Sequence, residues 1–262
     1  MRSRVLASHL LGLGIMCAGC AKEIPVVEVQ GECSDVYGGK VCTWAQMKGD
    51  SLLGVGASLP LASIENAPGE EAMVWPPRSL AALEFPGTAP QLSGLTHLTM
   101  YWEPMGHPPG PYLTPHFDFH FYLVPSADRI AIDCADRAHP AALPAGYAMV
   151  DLPLPPPMAA MTGTDTLVGL CVPQMGMHSL LTSELEGKDA FRGSMVLGYY
   201  HQAPIFIEPM LTRTMLMEKR SFTLPIPNIT GVAGAYPHEF RAAYDSTKQA
   251  YSFTFASFAP GN

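Results

Sequence analysis

The chain is predicted to be mainly β, an antiparallel sandwich or barrel with short helices, and three observations carry that expectation. Its 24 glycines and 26 prolines are spread throughout, which cuts it into short elements and disfavours long helices. Several segments alternate apolar and polar side chains with a period of two, as a strand with two unlike faces requires. Hydrophobic residues make up 48% and charged residues only 15%, enough to bury a substantial core.

The N-terminus reads as an export signal. Arg2 and Arg4 precede a mostly apolar stretch, and small residues lead to a cysteine. Ala18-Gly19-Cys20 resembles the bacterial lipobox, so residues 1–19 are expected to be a signal peptide and Cys20 the lipid anchor. Cys17 stands where that motif prefers Leu, and plain secretion with cleavage nearby is the alternative. Residues 20–40 are polar and punctuated by Pro25, Gly31, Gly38 and Gly39, which suggests a tether; residues 41–262 then form one mainly β domain. Removing the leader takes the net charge from −8 to −10. An acidic chain without clustered cations excludes nucleic acid as a partner, because such binding depends on releasing counterions.

Within the domain, Leu98, Met100 and Trp102 share one face of an expected strand, opposite His97, Thr99, Tyr101 and Glu103. A Gly- and Pro-rich loop over residues 104–115 leads to the next strand. There Phe117, Phe119 and Phe121 face one way and His116, Asp118 and His120 the other. Helical turns are expected near residues 80–83 and 210–219, and an extended connector near residues 152–157. Two hairpins are expected, one turning at residues 201–204 and one at residues 245–248. Apart from Cys17 and Cys20, four cysteines remain, an even number that suggests disulfides in an exported chain. Cys33–Cys42 and Cys134–Cys171 are the favoured pairs, since none of the four forms the CxxC spacing of a zinc cluster.

The stretch over residues 107–122 carries the chemistry. Two imidazoles and a carboxylate in a row are ligand types for a borderline divalent metal such as Zn, Mn or Fe. Residues two apart on a strand lie ~6.6 Å apart and can share an ion, whereas residues four apart lie ~13 Å apart and hardly can. His116, Asp118 and His120 therefore need partners from elsewhere: His178, Glu208, and His107 or His201 in loops. Asp118 can instead orient a ligating imidazole through a hydrogen bond. The plain alternative is a hydrogen-bonded polar face on a half-exposed sheet.

Residues 115–122 (PHFDFHFY), the loop before them, the MGMH segment at 175–178 and the GYYHQAPIFIEPMLTR segment ending at Arg213 resemble an uncharacterised bacterial envelope family. It is a domain of unknown function typified by a secreted Thermus protein under sigma-E control. The resemblance spans residues 42–225. It implies an extracytoplasmic β-rich protein with His107, His116, Asp118, His120, His178 and Glu208 as the positions of interest, and transfers no activity.

Met105-Gly106-His107 and Met175-Gly176-Met177-His178 add thioethers beside imidazoles, a pairing that suits copper(I), though methionines more often fill irregular cores. No nucleophile elbow surrounds Ser179 or Ser194, and no phosphate-binding glycine loop occurs. Three functions follow. The first, which the residues favour, is a lipid-anchored envelope protein binding a divalent metal or small ligand. The second is a metalloenzyme in a cupin-like β-barrel pocket, with His116, His120, His178 and Glu208 on one ion. The third is an interaction module, which could be a homo-oligomer, using the histidines structurally.

Overall fold

The computed structural model describes residues 23–232 and 234–261; the expected signal peptide and the lipid-anchor candidate Cys20 lie outside them. A three-strand meander comes first, β1 (Val26–Val36), β2 (Gly39–Lys48) and β3 (Ser51–Pro60), followed by the one-turn helix α1 (Leu61–Glu65). After a loop come β4 (Ala81–Glu84), α2 (Ala89–Ser93), β5 (His97–Glu103), β6 (His116–Tyr122) and α3 (Ser126–Ile130). A long irregular excursion then holds β7 (Tyr147–Met149), β8 (Leu152–Pro153), α4 (Pro156–Thr162) and β9 (Thr166–Leu167). The chain closes with β10 (Met177–Leu181), α5 (Thr182–Leu185), β11 (Gly193–Tyr200), β12 (Ala203–Thr212), α6 (Arg213–Met217), β13 (Phe222–Leu224), β14 (Ala235–Asp245) and β15 (Ala250–Pro260).

These strands form a six-stranded sheet in the order β1-β2-β3-β15-β14-β13 and a seven-stranded sheet in the order β4-β5-β6-β12-β11-β10-β7; β8 and β9 pair by themselves. All pairings of named strands are antiparallel. Each large sheet keeps its own edge strands, so the architecture is a sandwich and no barrel closes. The cupin-like barrel is thereby ruled out as the frame of the site. The aromatic face of β6 makes the sandwich core. Phe119 meets Phe253 edge to face at 4.9 Å between ring centroids, and Phe121 meets Phe255 at 4.7 Å.

The tether expected over residues 20–40 is corrected. Val26–Val36 is a strand paired antiparallel with β2, and the disulfide Cys33–Cys42 joins directly opposed residues. An edge strand has a partner on one side only and leaves most of its side chains in solvent, so it carries no alternating core pattern to read. The turn expected at 80–83 is also a strand, in which Ala81 and Leu83 are buried while Ala82 and Glu84 are exposed. The connector at 152–157 divides into β8 and the start of α4, whose first turn tolerates proline because its N–H groups lack intrahelical partners. Both expected hairpins form, as β11–β12 and β14–β15, and α6 lies within the helical turn expected at 210–219.

The two sheets differ on their outward faces. Strands β14 and β15 alternate buried and open positions, so much of that face meets solvent. Every residue of β6 is buried, as is nearly every residue of β5, β11 and β12. The excursion over residues 125–175 and the loop over residues 66–80 cover the outward face of the seven-stranded sheet. That cover puts His116, Asp118 and His120 in a protein interior, not on the half-exposed surface the sequence allowed. Cys134–Cys171 staples the excursion to itself. Two disulfides fit an oxidising compartment. Among the described residues no helix is long and apolar enough to cross a membrane.

Candidate metal centre

The row His116, Asp118, His120 divides between two groups, as strand spacing requires. His107, His116 and Asp118 form one; His120, His178 and Glu208 form the other. In each, one ligand atom per residue lies within 4.8 Å of the others. The single ion expected to gather His116 with His120, His178 and Glu208 is therefore corrected: His116 belongs to the first group. His107, expected only as an additional ligand, is a full member. His201 belongs to neither; it sits in the β11–β12 turn and meets Asp136 at the surface. Of the methionines that prompted the copper expectation, Met105 is 71% exposed and Met177 is packed in the core, whereas Met175 lines the same cavity as His178.

The second group is assembled from three strands. β6 supplies His120, β10 His178 and β12 Glu208. His178 Nδ1 lies 3.0 Å from the Leu170 carbonyl oxygen, which can only accept, so Nδ1 carries the proton and Nε2 presents a lone pair. Leu170 reaches that position with a φ of 52°, strained for a leucine, just after Gly169 at 57°. The Gly169 N–H is held by Asp151 Oδ1 at 2.7 Å. His178 Nε2 faces His120 Nε2 at 3.4 Å, and His120 Nε2 lies 3.6 Å from Glu208 Oε2. Two nitrogens bound tetrahedrally at ~2.1 Å would lie ~3.4 Å apart, so the imidazoles already hold a ligating separation.

Electrostatics keeps this group neutral. Burial, reinforced by His178, holds His120 well below its ordinary pKa. Burial, with help from His107, pulls His178 down to about 4. Burial and the charge of Asp118 push Glu208 well above the usual carboxylate range. Glu208 and His120 are each 1% exposed, yet Glu208 Oε2 and His120 Nδ1 have no hydrogen-bond partner. Buried polar atoms are nearly always paired, so a carboxylate oxygen without a donor, beside the facing Nε2 atoms of two imidazoles, marks a place where a cation fits; His120 Nδ1 points away from it. Phe206 holds the geometry, packing on His120 at 4.6 Å and on His178 at 5.1 Å between centroids. It can do so because residue 198 is glycine: a Cβ there would fall inside the Phe206 ring.

The first group balances itself. His116 donates Nδ1–H to the Thr114 carbonyl at 2.6 Å, and His107 donates its Nδ1–H to that of Pro108 at 2.9 Å. Asp118 offers one oxygen to each ring, Oδ1 at 3.2 Å from His116 Nε2 and Oδ2 at 3.6 Å from His107 Nε2. Burial alone would lower His107, but the Asp118 carboxylate outweighs it and lifts the imidazole to about 9. Burial would raise Asp118, yet the two histidines hold it far below the usual carboxylate range. The group is thus an ion pair by charge, although His116 Nε2 and Asp118 Oδ1, 3.2 Å apart, also lack a hydrogen-bond partner.

Comparison with known proteins yields no matching family model, no matching curated protein and no matching solved structure. The site has to be read from its own chemistry.

Both groups open onto one cavity of about 160 Å³. Its polar floor is Glu103, His107, Asp118, His120 and His178. Its apolar walls come from the covering segments: Met73 and Trp75 from the 66–80 loop, Leu152 from β8, Met158 and Met161 from α4, Leu167 from β9. Burial and the neighbouring Asp118 raise Glu103 to about 7. Glu103 shares the polar face of its expected strand, but nothing in the sequence sets it opposite His116 and within reach of Asp118. Of the cavity walls the sequence singled out only Met175, in the Met175-Gly176-Met177-His178 segment.

Proposed function

We propose that this chain is an exported envelope protein, lipid-tethered at Cys20, that binds a divalent metal ion through His120, His178 and Glu208. The observation that carries the reading is the meeting of a glutamate oxygen without a donor and two imidazole nitrogens, deep in the protein, at ligating separation. Two nitrogens and one carboxylate suit Zn2+, Mn2+ or Fe2+ better than copper(I). The purely structural reading accounts for the two imidazoles, whose Nε2 atoms lie within hydrogen-bond distance at 3.4 Å, but it leaves Glu208 Oε2 without a donor. Elemental analysis of protein purified without added metal tests the reading, with about one ion per chain expected. Protein free of metal after incubation with each of the three ions would refute it.

The cavity over the ligands favours a second reading, a metalloenzyme. Three protein ligands would leave a coordination position open, and two of them, His120 and His178, line a cavity. Metal-dependent hydrolysis of a small aryl ester, abolished in Glu208→Gln, would support catalysis; full metal occupancy without turnover of any tested ester would leave binding as the role.

A further inference from the structure

The cavity has a wall and a floor of opposite character, and together they specify a ligand. Its volume of about 160 Å³ is of the size that admits a benzene-sized molecule. The walls combine thioethers and one aromatic ring, Met73, Trp75, Met158, Met161 and Met175, with branched aliphatic side chains such as Leu152 and Leu167. Polarisable sulfur packs favourably on aromatic rings, and unbranched methionine adapts to flat guests better than branched side chains do. The floor is the only polar end, and it contains His120 and His178 of the metal group. The mouth lies at the surface, where Met73 is 72% exposed and Val74 and Met161 are also open to solvent. Exposed apolar side chains rimming a cavity are typical of a binding site.

We infer that the cavity takes a small aromatic molecule bearing one oxygen-donor head, such as a carboxylate, with the ring among the methionines and the head on the ion held by His120, His178 and Glu208. This rests on the metal reading above. The ring fills the apolar part and the head completes the coordination that three protein ligands leave open. Neither half suffices alone: benzyl alcohol lacks the anionic donor, and acetate lacks the ring.

The test is calorimetric titration of the full exported chain, after its metal content has been measured, with benzoate, acetate and benzyl alcohol as probes. Benzoate is expected to bind ~30-fold or more tighter than acetate, the factor for burying a phenyl ring, and tighter than benzyl alcohol as well. Met161→Glu, at the open rim of α4, is expected to weaken benzoate at least ~10-fold while leaving the metal content unchanged. A chain that holds metal and binds benzoate no tighter than acetate overturns this inference and leaves the metal reading standing. A chain that takes up no metal overturns that reading, and this one with it. Unaltered benzoate affinity in Met161→Glu with metal in place would also overturn it, by placing the ring elsewhere.

Discussion

His107, His116 and Asp118 offer the same functional groups as His120, His178 and Glu208, and the two groups share a strand, yet their charge states are opposite. In the first, the carboxylate is ionised and a histidine is held protonated beside it. In the second, both imidazoles are forced neutral and the carboxylate is pushed toward its acid form. The difference lies in where each carboxylate points. Asp118 spends both oxygens on imidazoles, one of them on a half-exposed loop where a proton is easily held. Glu208 is buried between strands, near another negative charge, with one oxygen unmatched. Two sets of the same ligand types thus differ in how far their charges are matched without an ion.

The sharpest way to break this contrast is to remove one ligand from each group. Glu208→Gln or His178→Ala is expected to abolish metal retention, measured by elemental analysis. That loss exceeds the ~10–100-fold caused by losing an orienting partner. His116→Ala is expected to leave about one ion per chain bound; metal lost there and kept in Glu208→Gln would reverse the assignment.

Stability should divide the groups the other way. Asp118→Asn leaves its histidine partners uncompensated and is expected to lower unfolding stability by about 3–5 kcal/mol in denaturant titration, the usual effect of breaking a buried ion pair. In metal-free protein Glu208→Gln should change stability by less than about 1 kcal/mol, since glutamine mimics the protonated acid already favoured there. Equal losses would mean that Glu208 is ionised without a metal.

The pH profile sharpens the comparison further. His178 has a native pKa of about 4 against an ordinary 6.5, so the unfolded chain takes up the proton first as pH falls. Its contribution is complete above about 6.5 and is lost toward 4, on the order of 3 kcal/mol at most in metal-free protein. His107, raised to about 9, contributes fully below about 6.5 and loses that contribution as pH rises through 9. Thermal unfolding followed across this range in His178→Ala and His107→Ala should each flatten one limb only. The smallest effect is expected at Gly198→Ala, where the added methyl displaces Phe206 from both imidazoles. Metal affinity should fall about 10-fold while the first group is untouched, as a competition titration with a chelator would read.

Much of this site was legible in the sequence because period-two patterning is a local property. Phe117, Phe119 and Phe121 against His116, Asp118 and His120 announced a strand with a core face and a ligand face, and strand spacing made one ion for the whole row strained. His178 and Glu208 were recognisable as candidates by residue type. Their partnership was not, since it depends on β6, β10 and β12 lying together in one sheet. The same limit hid Glu103, the Leu170 carbonyl and the cavity walls. The edge strand Val26–Val36 was missed for a different reason: a strand with most of its side chains in solvent has little core pattern to show.

By itself the sequence determined the mainly β class and which side chains carry metal-ligand chemistry, and it favoured the two cysteine pairs that the structure holds, because backbone periodicity, residue type and turn chemistry act over a few neighbouring positions. Only the tertiary structure decided how those side chains divide into a self-balanced ion pair and an unbalanced centre. That division depends on which charges share a buried volume, and electrostatic energy in a protein interior is set by distance and desolvation, not by separation along the chain.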